Sequence, residues 1–289
     1  MSGVLAKALA GWEPGTAEIT RRVDPWTMAA FAGLTGVPLP PPADGDPLPP
    51  MWHWFTLIDH PAQSEIGADG HPAAGPFLPP VPGRRRMFAG GRLALDAPVP
   101  VGGNLTSRSA VTGISVKEGR SGEMAFVTVR HELSVDGTAV GAEEQDIVYR
   151  SEAGETIPRS VPRPETGEPE PAGPWRLELA TGPVPLFRFS ALTYNAHRIH
   201  YDRPYATKTE GYPDLVIHGP LLALLALELA RVNAPGRPVR GFEYRLVRPA
   251  FSPARVVAAG VPAPDGATVE VSVAAAGAMP SLTGRITLG

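Results

Sequence analysis

The hydrophobic pattern of this chain changes period several times. Short runs in which apolar or β-branched residues alternate with polar ones fall at 92–95, 105–114, 124–135 and 139–149, and again at 242–247, 254–259, 268–274 and 282–288. Each predicts a strand. Lys117-Glu118-Gly119-Arg120 and Asp136-Gly137 predict hairpin turns in the first set, and Pro262-Ala263-Pro264-Asp265-Gly266 a turn in the second. A different pattern fills 220–232, PLLALLALELARV, where leucine and alanine fall on every face and Glu228 and Arg231 come only towards the end. A helix apolar all round must be wrapped by other structure. Another helix is predicted from Asp24-Pro25, an N-cap and a first helical position, through Met28 and Phe31 to Gly33 or Gly36.

Residues 151–174, SEAGETIPRSVPRPETGEPEPAGP, hold almost no apolar side chains and read as a connector. On either side of it an early helical segment is followed by a polar or Pro/Gly-rich loop, a mostly apolar segment and a meander of strands. FAGLTGV begins at Phe31 and FSALTYN at Phe189, so Phe, Leu and Thr coincide at an offset of 158 residues (189 minus 31). This predicts a degenerate internal duplication. In it Val37 takes the place of Asn195 and Pro42 that of His200, so the first half keeps the frame and lacks the chemistry. A curved antiparallel sheet around one apolar helix is the hot-dog architecture. The expectation is therefore an α+β double hot-dog fold, two antiparallel sheets each wrapped around a central helix. Its parts are a non-catalytic half over 1–150, a linker over 151–174 and a catalytic half over 175–289. An ordinary core helix in another α+β fold gives the same pattern.

Composition narrows the class. Apolar residues make up 43% and charged residues 19%, as in soluble globular proteins. No apolar run reaches the roughly 18 residues of a membrane span, and the first residues, MSGVLAKALAGWEPG, turn polar too soon for a signal peptide. There is no cysteine, which removes disulfides, thiolate metal sites and thiol nucleophiles and fits a cytoplasmic address. With a net charge of −3 and no basic stripe, nucleic acid is not an expected partner. There is no serine-hydrolase pentapeptide and no glycine-rich phosphate loop. No three-histidine or histidine/carboxylate set stands out at metal spacing, so no metal is expected.

The chemistry concentrates in FSALTYNAHRIHYD, 189–202, and in His218-Gly219-Pro220 at the head of the apolar helix. Asn195 and His200 stand five residues apart. An imidazole titrates near neutral pH, and a helix N-terminus can hold a developing oxyanion. Pro220 has no N–H, which leaves Gly219 as the donor, and glycine lets an acyl group approach. The combination suggests acyl-thioester chemistry.

FSALTYNAHRIHYD resembles the signature of the (R)-specific enoyl-thioester hydratases of the MaoC-like group. His200 matches that group's histidine, Asn195 falls where the group usually has Asp, and His197 where it has Asn. The stretches MWHWFTL (51–57), DGHPAAGPFLPPVPGRRRMFAGG (69–91), KEGRSGEMAFVTVRHE (117–132), EEQDIVYR (143–150) and NAHRIHYDRPYATKTEGYPDLVIHGPLLA (195–223) resemble a nearer branch. That branch holds the mesaconyl-C4-CoA hydratases and the hydroxyacyl-thioester dehydratase type 2 proteins, in which Asn paired with His is usual. The resemblance implies a double hot-dog hydro-lyase that interconverts an enoyl-CoA and a 3-hydroxyacyl-CoA, with the mesaconyl-C4-CoA to citramalyl-CoA reaction as the leading substrate. Another 3-hydroxyacyl-CoA or a carrier-bound intermediate is the alternative.

The resemblance implies no cofactor beyond the CoA of the substrate, an acyl-CoA or acyl-carrier partner, and a homodimer, because hot-dog sheets pair edge to edge. It gives His200 as general base and acid, Asn195 as the holder of the water and Gly219 as the oxyanion donor. Each remaining candidate has a bland counterpart. His200 could instead be structural, bonded to Asp202 or Asp214. His197 and Arg198 either face the substrate or fix the loop, and His218 either orients the oxyanion turn or packs. Tyr194 and Tyr201 read as walls. Arg84 and Arg86 in the triple arginine could meet CoA phosphates or a second carboxylate, against a solvated surface run. Trp54, with His53 and Trp52, suggests an aromatic wall in a half widened to admit the acyl group. A thioesterase would need a carboxylate base or nucleophile near the helix, and a non-catalytic acyl-binding protein would lack the Asn–His pair.

Overall fold

In the computed structural model, residues 3–119, 122–151, 161–162 and 167–289 are described. The first round of elements is α1 (Val4–Leu9), β1 (Thr16–Arg22), α2 (Pro25–Thr35), β2 (Arg84–Leu95), β3 (Asn104–Gly119), β4 (Gly122–Val135) and β5 (Thr138–Ser151). The second is β6 (Trp175–Thr181), α3 (Pro183–Leu192), α4 (Gly219–Asn233), β7 (Val239–Leu246), β8 (Ala254–Pro262), β9 (Thr268–Ala275) and β10 (Leu282–Leu288). The sheet order is β1-β3-β4-β5-β2-β7-β10-β9-β8-β6, antiparallel throughout. Read outward from the middle, the two halves have the same order, with β2 answering β7 and β1 answering β6. The duplication expected from the short Phe-Leu-Thr match is thus present in the topology.

The double hot-dog class holds, with two differences of detail. First, the two sheets are continuous. Strands β2 and β7 pair from Gly90↔Arg245 to Ala94↔Gly241, so the edge-to-edge pairing expected between two copies is made within one chain. Second, the long apolar helix belongs to the second half. Leu221, Leu222, Leu224, Leu225, Leu227 and Leu229 of α4 are all buried. Each such leucine contributes about 1.5–3 kcal/mol relative to exposure. In the first half the corresponding position, after α2, holds a short 3₁₀ turn, Trp52–Phe55. Trp52 and Phe55 each lie 4.9 Å from the ring of Phe31 and fill the space with aromatic volume instead of a helix. Phe31 and Phe189, equivalent in the duplication, sit 6.3 Å apart where α2 packs on α3.

Local signals account for most boundaries. Asp24 caps α2 by accepting from Trp26 N–H, and Gly36 ends it in the left-handed conformation. Asp136-Gly137 turns the β4–β5 hairpin with positive φ at both residues. The turn read at 117–120 differs: Lys117, Glu118 and Gly119 extend β3, and the reversal falls outside the described residues. Most of the connector over 151–174 lies outside them as well. At the end of α4, buried Glu228 accepts from Arg231, whose Nη1 also donates to the Pro38 carbonyl at 2.9 Å. That contact ties the helix to the segment following α2. No helix among the described residues is long and apolar enough to cross a membrane.

Leu224 is wholly buried in α4. We expect Leu224→Ala to lower unfolding free energy by about 2–5 kcal/mol, seen as a lower urea midpoint at unchanged slope. Val184→Ala, at an exposed position of α3, should change it by no more than about 0.5 kcal/mol. Equal effects would contradict the central place given to α4.

Candidate active site

Helix α3 ends at Leu192 and the chain folds back on itself. Asn195 N–H donates to the Ser190 carbonyl at 2.8 Å, and Asn195 Oδ1 accepts from His197 N–H at 2.9 Å. This Asx turn fixes the amide, whose Nδ2 makes no hydrogen bond among the described residues. One 3₁₀ turn, Arg198–His200, follows. His200 is buried and its Nδ1–H donates to the Val216 carbonyl at 2.7 Å. A carbonyl can only accept, so Nε2 carries the lone pair. The ring stacks on His218, with centroids 3.7 Å apart at 19°. Gly219 opens α4, and its first-turn N–H groups have no preceding carbonyl to bond. A Cβ at Gly219 would lie 2.4 Å from Leu246 Cδ1, so the position has room only for glycine unless that side chain shifts.

Asn195, His197, His200 and Gly219 line one cleft of about 1400 Å³ between the halves, faced by Trp54 and Phe88 from the first half. Arg86 opens into it too, and no hydrogen bond or ion pair holds its guanidinium among the described residues. Tyr194 and Tyr201 are exposed on the rim of the cleft. Arg198 also lines the cleft, but its side chain is engaged. It pairs with Asp202 at 2.8 Å, donates to the Ala68 carbonyl and lies 4.0 Å over the ring of Tyr205, which is the loop-fixing role.

Three expectations are corrected. His218 does not reach substrate space: it has no exposed surface, and its Nε2 meets Ser190 Oγ at 2.9 Å behind His200. Arg84 is committed to the carbonyls of Pro79 and Ala73 and lines a smaller neighbouring cavity of about 450 Å³. The aspartate partners considered for His200 are not its partners, because Asp202 accepts from Arg198, Asp214 accepts from Arg203, and His200 bonds Val216.

Residues 51–252 match the family described as hydroxyacyl-thioester dehydratase type 2. The chain belongs to that family. Mesaconyl-C(4)-CoA hydratase of Chloroflexus aurantiacus is 43% identical over 91% of this chain and 91% of its own. The mitochondrial hydroxyacyl-thioester dehydratase type 2 of Schizosaccharomyces pombe is 49% identical over 24% of each chain. Among solved structures, a MaoC-like dehydratase from Phytophthora capsici superposes at a TM-score of 0.67, with 17% identity over 98% of both chains. A Mycobacterium tuberculosis protein with a double hot-dog fold gives 0.55, with 13% identity over 96% of this chain and 97% of its own. These two show the shared fold. As a type 2 dehydratase the chain is a hydro-lyase, acting by hydration and dehydration at a thioester-bound acyl group.

In this dehydratase His197, His200 and His218 are held uncharged by burial. Desolvation brings His200 down to about 4, against the smaller opposing pull of its bond to Val216. Desolvation, with His71 and His200 nearby, takes His197 to about 2. His218, fully enclosed and beside His200, lies well below the ordinary value. His71 and Asp69 complete the group, and sequence reading passed over both although they stand within the 69–91 stretch. The His71 ring lies 3.9 Å from that of His197, and its Nδ1–H donates to Asp69 Oδ2 at 3.0 Å. Nitrogen and oxygen atoms of Asp69, His71 and His197 come within 4.8 Å of one another. The Asp69 carboxylate is already engaged by His71 through both oxygens, and the His71 and His197 rings are tilted 36° to each other.

The sign of the acid response follows. Folded His200 and His197 titrate at about 4 and 2, against about 6.5 in the unfolded chain. As pH falls from about 6.5 towards 4, the unfolded chain takes up protons that the folded one refuses, so stability is lost, by up to about 1.4 kcal/mol per pH unit for each histidine. Urea midpoints measured across that range should fall with acid, and a flat profile would contradict the buried neutral histidines.

Proposed function

We propose that the dehydratase adds water to the double bond of a short dicarboxylic enoyl-CoA of the mesaconyl-C4-CoA type, and removes it in reverse. The observation that carries the reading is His200, its tautomer set by Val216 and its Nε2 free, in one cleft with the Asn195 amide and the start of α4. The relative from Chloroflexus aurantiacus supports the acyl group.

In this scheme Asn195 holds the water and His200 Nε2 takes its proton as oxygen bonds the β carbon. Negative charge moves to the thioester oxygen, where Gly219 N–H and the positive end of α4 receive it. Asn195 can orient water but cannot carry a proton. Arg86 would pair with the second carboxylate, as an unpaired guanidinium facing a cleft is suited to do. The first half, with no Asn–His pair of its own, would serve as wall for the acyl chain through Trp54 and Phe88. A thioesterase reading is disfavoured because Asp202 and Asp214, the carboxylates beside the motif, are both bound by arginines.

The test is loss of enoyl absorbance on mesaconyl-C4-CoA, itaconyl-CoA and crotonyl-CoA. His200→Ala should lower the rate by about 10²–10⁴, and release of free thiol instead of hydration would replace the reading with a thioesterase. Arg86→Met should raise KM for mesaconyl-C4-CoA by roughly 10- to 100-fold, the worth of one hydrogen bond to a charged group, and leave crotonyl-CoA unaffected. An equal change on both substrates would remove Arg86 from carboxylate recognition.

A further inference from the structure

Hydration moves two protons: one leaves water and one reaches the α carbon. Of the Asn195–His200 pair only His200 can carry a proton, because Asn195 is an amide. The first half brings a second. Its hairpin at 66–72 closes on itself through Gly67 N–H to the His71 carbonyl at 2.7 Å and a bridge between Ile66 and Pro72. The hairpin is docked on the catalytic turn. Arg198 N–H donates to the Asp69 carbonyl at 2.9 Å, and Arg198 Nη1 to the Ala68 carbonyl at 3.0 Å. Gly70 has φ +93, and a Cβ there would stand 1.8 Å from the Ala196 carbonyl oxygen, so only glycine allows this approach. The position of His71 is therefore set by the turn that carries Asn195 and His200.

Within the hairpin, Asp69 grips His71 twice. One carboxylate oxygen accepts from the His71 backbone N–H and the other from ring Nδ1–H, each at 3.0 Å. Burial pushes the Asp69 carboxyl up, but the His71 ring and backbone hydrogen bonds outweigh it together and bring the group down to about 2, so it is ionised. An ionised carboxylate behind an imidazole fixes its tautomer and compensates the imidazolium. His71 Nε2 is left over, in the same cleft as Asn195 and His200.

We infer that the Asp69–His71 pair is the second proton carrier of the site, contributed by the half that lacks the Asn–His motif. The inference rests on the hydratase reading above. In the hydration direction, an O–H bond of water breaks towards His200 Nε2 while the C–O bond forms at the β carbon. The double-bond pair moves to the thioester oxygen. The enolate then takes its α proton from Nε2 of the His71 imidazolium. The proton left on His200 returns to His71 through water in the cleft, so one water is added and both imidazoles are restored. The charged and titratable groups around His71 are Asp69 on its own hairpin, His197 and His200 on the catalytic turn, Arg84, Arg85 and Arg86 on β2, and Tyr205, Glu210 and Tyr212 across the smaller cavity.

The experiment compares kcat and KM of enoyl-CoA hydration for wild type, His71→Gln, His71→Ala, Asp69→Asn and His200→Ala, with melting curves to show that each variant is folded. His71→Gln keeps a donor to Asp69 but cannot carry a proton. It should lower kcat by roughly 10²-fold or more and change KM little. Asp69→Asn should lower kcat in the same direction, by less. Imidazole added to His71→Ala should restore part of kcat. A His71→Gln enzyme that keeps its kcat, or changes only in KM, overturns the inference while His200→Ala still upholds the hydratase reading. A wild type that hydrates no enoyl-CoA overturns both.

Discussion

One carbonyl holds the site together. The Val216 oxygen accepts from His200 Nδ1, while the Val216 N–H returns to the Ile199 carbonyl at 2.9 Å, so the catalytic turn is clipped twice to a single residue. The same short segment bridges Phe251 and runs on, two residues later, into His218 and the start of α4. His200 and the start of α4 thus share one origin, backed by the buried leucines of α4. Preorganisation of this kind is what an electrostatic site needs, because no reorientation is left for the moment of reaction.

The two halves differ along that line. In the second, an apolar helix fills the sheet and its first residues line the cleft. In the first, Trp52, Phe55 and Phe31 fill the equivalent space. The first half faces the cleft with Trp54, held by Glu143 through its indole N–H, with Phe88 packed on it, and with the 66–72 hairpin laid over the 195–200 turn. Glu143 is buried, and although burial pushes its carboxyl up, the hydrogen bond and charge of His53 hold it below the usual range. That charge anchors the wall from behind.

How much could be read from residues alone follows from range. Helix α4 and the inner strands were legible because burial on one or all faces writes a period into the sequence. Strand β1 was not: TAEITRR is half-buried or exposed throughout, and an edge strand with little buried face carries a weak pattern, while β6, WRLELAT, alternates and was passed over beside the Pro-rich connector. His200, Asn195 and Gly219 were legible because their geometry is local, a turn and a helix start. Asp69 and His71 were not singled out, because their meaning depends on a contact across more than a hundred residues of chain, and Asp-Gly-His by itself reads as a turn. The three arginines show the same limit. Consecutive in sequence, they part in space, with Arg84 on backbone carbonyls, Arg85 paired with Glu210 at 3.2 Å and Arg86 facing the cleft.

The imidazoles form a contact row, His71 on His197, His197 against His200, His200 on His218. Four like charges in such contact would repel, and burial resolves this by keeping His197, His200 and His218 neutral near pH 7. The two ends of the row are not alike. Asp69 closes one end with an anion, and the start of α4 closes the other with amide donors and a positive dipole. A positive charge is therefore at home beside His71 and a negative one beside Gly219. Under the proposed mechanism an enoyl thioester in the cleft would have its oxygen drawn to the helix and its proton source on the side of His71. The direction of the acyl group would then follow from this polarity before any side chain has recognised the acyl group itself.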